Sequence, residues 1–238
     1  MKTLSELKIK LFADGADKEQ IFEAYANPLV RGFTTNPTLM RAAGVKDYEV
    51  FAREILAIVK THPISFEVFS DDFCEMERQA RKIAAWAANV FVKIPVMNTQ
   101  GQSSLELARK LSQSGVKVNV TAILTLEQVE SAAEAVGGGA PSVISVFAGR
   151  IADTGRDPIP IMSTAAKIVS RYSNLELLWA SPRELLNILQ AEDAGCDIIT
   201  VPQNILAKLP TVGKDLKDYS LDTVLMFHND ALKSGYQL

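Results

Sequence analysis

Eight short apolar runs, each followed by a longer stretch, constrain this chain more than any other feature. The runs are Ile9–Ala13, Val30–Phe33, Ile64–Val68, Val90–Ile94, Val116–Val120, Val143–Phe147, Leu175–Trp179 and Ile198–Val201. The intervals include amphipathic stretches such as Asp47–Lys60, Asp72–Trp86, Ser104–Ser114 and Leu126–Val136. In the first of these, Phe51, Ile55, Ile58 and Val59 recur at the spacing of one helix face. Strand–helix repeats imply parallel strands, because a parallel return needs a crossover. Eight such units in 238 residues fit a closed barrel. The chain is thus expected to be α/β, a single (β/α)8 TIM barrel over 1–238, with 213–238 as a C-terminal helical extension. A doubly wound sheet is the alternative. The run Gly137-Gly138-Gly139 does not support it, because it follows a helical stretch and reads as a helix stop. Leu221, Val224, Leu225 and Leu232 predict a further helix over Ser220–Leu232. It packs either across the barrel or against another subunit.

Composition excludes several classes of function. Residues are 47% hydrophobic, and 25 basic against 28 acidic side chains leave a net charge of −3. A disordered chain would combine low hydrophobicity with high net charge. No basic stretch supplies the footprint of a nucleic-acid partner. No apolar run approaches the roughly 20 residues of a membrane helix. The start, Met1-Lys2-Thr3-Leu4-Ser5-Glu6, places an acid where a signal peptide would begin its apolar core. Two cysteines, Cys74 and Cys196, cannot make a disulfide framework. With only His62 and His228 beside them, they also fall short of a metal site with recognisable spacing. A cytoplasmic location is expected.

Chemistry is suggested by polar residues late in apolar strands. Strand side chains alternate between faces. In the fourth run Val90, Val92 and Ile94 share one face, and Phe91 and Lys93 the other. A lysine inside an apolar strand is rare unless paired. The other runs place Asp14, Asn36, Glu67, Asn119, Thr121 and Ser145 at comparable positions. In a barrel these converge with Lys93 at the C-terminal mouth, where active sites form. Singly, each reads equally well as a cap or a hydrogen-bonded core residue. Together they predict a pocket with one lysine and two acids. A primary amine drawn into a desolvated site acts as a nucleophile on a carbonyl. The resulting iminium is an electron sink, and a nearby carboxylate can shuttle the proton. Arg150 and Arg183 lie just past the sixth and seventh runs, where guanidinium forks suit a phosphate.

Several stretches also resemble the transaldolase family. They are Phe12-Ala13-Asp14-Gly15-Ala16, Gly32-Phe33-Thr34-Thr35-Asn36-Pro37-Thr38, Val92-Lys93-Ile94-Pro95, Asn119-Val120-Thr121-Ala122 and Ser145-Val146-Phe147-Ala148-Gly149-Arg150-Ile151. The length is similar to the short, single-barrel branch, which includes the fructose-6-phosphate aldolases. The resemblance implies a Schiff base on Lys93 and acid/base work at Asp14. It implies a catalytic water held by Glu67 and Thr121. It implies hydroxyl contacts from Asn36, Asn119 and Ser145, with Thr34 beside them, and phosphate binding by Arg150, Ser181 and Arg183. Phe147, and a glutamate rather than a glutamine at position 67, resemble the transaldolases more than the aldolases. Pro182 departs from the aromatic usual in the family, and Arg156 adds another arginine near the phosphate end. Sugar-phosphate substrates, no cofactor and a ring-like homo-oligomer, pentamer or decamer, are implied.

Two other functions compete. A same-fold aldolase would release free dihydroxyacetone without an acceptor. A non-catalytic sugar-phosphate-binding barrel would keep the arginines but has no need of a lysine beside two acids.

Overall fold

The structure, a computed structural model, describes residues 6–237. The start considered above, Met1 to Ser5, lies outside the described residues. The strands are β1 Lys10–Asp14, β2 Val30–Thr34, β3 Ile64–Glu67, β4 Val90–Pro95, β5 Val118–Ile123, β6 Ser142–Val146, β7 Leu175–Trp179 and β8 Ile198–Pro202. All neighbouring pairs are parallel, and β8 returns to β1 to close the barrel. The helices are α1 Lys18–Ala26, α2 Pro37–Ala42, α3 Tyr48–Ile58, α4 Phe73–Ala84, α5 Leu105–Gln113, α6 Leu126–Val136, α7 Ala148–Asp153, α8 Ile159–Val169, α9 Leu186–Asp193, α10 Gln203–Leu206 and α11 Leu216–Ser234.

Local chemistry explains where the helices begin. Asp17, Asn36, Asp47 and Asp72 each accept a hydrogen bond from a backbone amide in the first turn of the helix they precede, satisfying donors that have no intrahelical partner. Thr125 and Gln128 form a reciprocal capping box at α6. The third apolar run ends at Glu67 and the fifth begins at Val118, two residues later than periodicity suggests. Val116 instead closes the turn after α5, its amide bonding to Leu111 O at 3.0 Å.

Strand alternation divides the core in two. Outward residues such as Ile64, Val92, Val120 and Ile144 are fully buried against the helices. Inside the barrel, Phe12, Val143, Leu178 and Ile198 cluster with the partly buried Phe91. They form an apolar floor. Gly32 makes room for it, since a Cβ there would lie 2.5 Å from the Phe12 ring. Above that floor the inward residues turn polar.

The terminal helix α11 runs further in both directions than the predicted Ser220–Leu232. Asp215 caps its start, accepting from the amides of Lys217 and Asp218, and Gly235 ends it in the left-handed conformation. None of its residues is buried. Of the two packings considered, it does not take the one across its own barrel.

Candidate active site

Register places the polar side chains side by side around the barrel mouth. Asp14 pairs with Thr34, and Thr34 with Ser65. Glu67 pairs with Lys93, and Lys93 with Asn119. A cavity of about 520 Å³ opens above them. Its lining includes all seven residues expected to converge: Asp14, Asn36, Glu67, Lys93, Asn119, Thr121 and Ser145. Thr34, Phe147, Arg150 and Ser181 line it as well. Among the described residues, no three His, Cys, Asp or Glu side chains gather where they could share a metal ion.

Lys93 is only 7% exposed. Its Nζ lies 2.9 Å from Glu67 Oε2 and donates to the Thr35 carbonyl at 2.9 Å. A buried ammonium needs such partners, because desolvation without them is costly. Burial pushes the Asp14 carboxyl above the ordinary carboxylate range. The Lys93 charge and a hydrogen bond from Thr34 Oγ1, 2.7 Å from Asp14 Oδ1, pull it back, while the Glu67 charge adds to the rise. The two acids thus differ in setting. Glu67 is ion-paired to the amine, whereas Asp14 accepts from a threonine hydroxyl.

Across the barrel, Ser145 Oγ donates to Asn119 Oδ1 at 2.7 Å, and Asn119 Nδ2 donates to Ser65 Oγ at 3.1 Å. Both ends of the Asn119 amide are therefore held by the protein. Asn36 does double duty, since its Oδ1 also caps α2 through the Leu39 amide at 2.9 Å. Thr121 differs from these: its Oγ1 is buried with no hydrogen-bond partner. A buried hydroxyl without a partner is an exception that calls for a bridging group. The next residue, Ala122, has φ +63°, a conformation costly for a side chain with a Cβ. The ladder between β5 and β6 shifts register at the same point.

The side of the mouth expected to take the phosphate is built from α7 and the loop after β7. Arg150 stacks its guanidinium over the Phe147 ring, 5.5 Å from the centroid. Ser181 adopts φ +63°, and its carbonyl rests on Gly149. A Cβ at Gly149 would sit 1.5 Å from that oxygen, so only glycine permits this crossing. Arg183 does not line the cavity. Its Nε donates to Asp153 Oδ1 at 2.9 Å and its Nη2 pairs with Asp153 Oδ2. Arg156 lies off the cavity too, bonded to Thr154 Oγ1 at 3.0 Å.

Two contributors were not singled out from the sequence. Thr200 of β8 lines the cavity and bonds to Thr34. It interrupts an apolar strand as Asn119 does, so the same alternation could have found it. Tyr48 of α3 receives the Glu67 amide on its hydroxyl at 2.8 Å and donates back to the Glu67 carbonyl at 3.1 Å. Burial raises the pKa of this phenol. No strand pattern marks it.

Fold and site together define a (β/α)8-barrel enzyme centred on a buried lysine. A family model described as transaldolase/fructose-6-phosphate aldolase matches residues 11–234, and the chain belongs to that family. A probable transaldolase from a Thermoanaerobacter species is 36% identical over 231 residues, 97% of this chain and 100% of the relative. One from Methanococcus maripaludis is 39% identical over 202 residues, covering 84% and 89% of the two chains. One from Dehalococcoides mccartyi is 35% identical over 202 residues, covering 84% and 90%. Among solved structures, a mandelate oxidase mutant with an FMN adduct superposes with a TM-score of 0.56 at 18% identity, covering 83% of this chain and 65% of that one. That likeness speaks for the barrel fold alone.

Proposed function

We propose that the enzyme transfers a three-carbon dihydroxyacetone unit from a ketose phosphate, sedoheptulose 7-phosphate or fructose 6-phosphate, to an aldose phosphate through a Schiff base on Lys93. This is the ketol transfer of the pentose phosphate pathway. The observation that carries the proposal is a nearly buried lysine ion-paired to Glu67 in the same cavity as Asp14.

Glu67 is within proton-transfer distance of Nζ and takes the proton that frees the amine. The amine nitrogen attacks the ketone carbon. The carbinolamine then expels its hydroxyl as water, leaving the iminium. Asp14 accepts the proton of the alcohol on the far side of the scissile carbon–carbon bond. As that bond breaks, its electron pair flows to the iminium nitrogen, and an aldose leaves an enamine behind. The acceptor aldehyde then takes the enamine carbon, its oxygen is protonated by Asp14, and water hydrolyses the new imine. The orphan Thr121 hydroxyl supports a water held between it and Glu67. Asn36, Asn119, Ser145 and Thr34 face the hydroxyls of the transferred unit. Arg150 binds the phosphate, with Ser181 beside it, and Arg183 joins them only on leaving Asp153. Phe147 orients Arg150 through its ring.

The exposed apolar helix α11 supports a ring-like homo-oligomer, pentamer or decamer. Among the described residues no helix is long and apolar enough to cross a membrane, and a cytoplasmic location fits the enzyme's sugar-phosphate chemistry.

Borohydride added with donor ketose phosphate should fix a covalent adduct on Lys93, located by peptide mass mapping, and Lys93→Ala should abolish both label and turnover. An adduct on another residue, or an active Lys93→Ala variant, overturns the mechanism. The same assay without an acceptor separates transfer from cleavage. Rapid release of free dihydroxyacetone would assign the aldolase reaction instead, and sugar-phosphate binding without turnover a non-catalytic barrel.

A further inference from the structure

The hydroxyl of Thr200 lines the cavity, and the transfer chemistry leaves it unused. It is 5% exposed and sits on β8 beside Phe12 of β1. Its oxygen contacts Thr34 Oγ1, which is 4% exposed and itself contacts Asp14 Oδ1. Thr34 has a single hydroxyl proton. The carboxylate of Asp14 can only accept, so that proton goes to Oδ1. The contact between the two threonines must then be made by the Thr200 proton. The direction of the chain is fixed: Thr200 donates to Thr34, and Thr34 donates to Asp14.

We propose that Thr200 is a positioning residue for proton transfer at Asp14. By donating to Thr34, it commits the only Thr34 proton to Oδ1 and leaves Oδ2 to take the proton of the substrate alcohol. The proposal rests on Asp14 as the acid/base group. Hydrogen bonds in series polarise one another, and the effect is larger where water is excluded. Phe12, the strand partner of Thr200, and Ile198, two residues before it, belong to the apolar floor. When Asp14 holds the substrate proton, its charge is gone and its pull on Thr34 weakens. When the proton is returned to the acceptor, the chain tightens again. The relay thus favours the ionised form that must be present before each cleavage.

Thr200→Val preserves shape and removes the donor, and Thr200→Ser restores it. In Thr200→Val, kcat should fall roughly fivefold to tenfold, the weight of one ordinary hydrogen bond between neutral groups, with KM unchanged. The acidic limb of the pH–rate profile should move upward by roughly half a unit, because the Asp14 carboxylate has lost support. Borohydride trapping on Lys93 should keep its rate, since imine formation does not use Asp14. Thr200→Ser should recover both kcat and the limb. A Thr200→Val enzyme with wild-type kcat and pH limb overturns the relay, as does a Thr200→Ser enzyme no better than Thr200→Val. Asp14→Asn serves as the control. If it is inactive while Thr200→Val is normal, only the relay is lost. If it turns over normally, the acid/base role of Asp14 itself is wrong.

Discussion

Asp14 shows how a single residue can serve reaction and stability in opposite senses. Its carboxyl is pushed up by burial, so the native state holds its proton more tightly than the unfolded chain does. The stability this group forfeits therefore appears as pH rises from the ordinary carboxylate value through the raised one. Asp14→Asn should raise Tm at pH 7 by roughly 2–4 °C, the effect of about 1 kcal/mol in a chain of this size. The gain should vanish in scanning calorimetry at pH 3, where the wild-type carboxyl is protonated in both states. Turnover should fall about 10²- to 10⁴-fold. Gly149 acts through shape alone. Its substitution by alanine drives a Cβ into the Ser181 carbonyl. Gly149→Ala should raise KM for phosphorylated donors at least tenfold by displacing the loop, while borohydride labelling of Lys93 with free dihydroxyacetone persists. Lys93 and Asn119 were legible in the sequence, because strand alternation alone gives their face. That Asp153 holds Arg183 was not. The two lie 30 residues apart, and nothing in either segment announces the pairing.

At the scale of elements, the eight strands were readable to within three residues, since alternation is local chemistry. What escaped was how one element completes another. Strand β2 pairs with β3 only through Phe33 and Thr34, then turns away into α2. The Glu67 amide and carbonyl are left without a strand partner, and the Tyr48 hydroxyl of α3 takes both. Tyr48→Phe should leave two backbone groups unpaired. A cost of about 1–3 kcal/mol is expected, visible as a lower urea midpoint. Imine formation should slow as well, because Glu67 rides on that backbone. A normal urea midpoint together with normal trapping kinetics would show that water replaces the phenol.

The whole molecule is bounded by two apolar surfaces with different fates. One is α11, where Phe227 is 63% exposed and Leu232 68%. An isolated helix is marginal in water, so 19 residues without a buried side chain need a second surface. The apolar positions of this helix were visible in the sequence. Which surface they meet was not, because amphipathicity does not name a partner. Light scattering should find an oligomer, and Leu225→Asp combined with Phe227→Asp should dissociate it and make the subunit less heat-stable. A monomeric wild type would refute this. The other surface is the plug of Phe12, Phe91, Val143, Leu178 and Ile198 inside the barrel. It fills the barrel below the cavity. On the proposed transfer reaction, the aldose released from the donor leaves by the mouth through which the acceptor enters, and the two sugars take turns. On that reading, the filled barrel itself imposes a double-displacement rhythm.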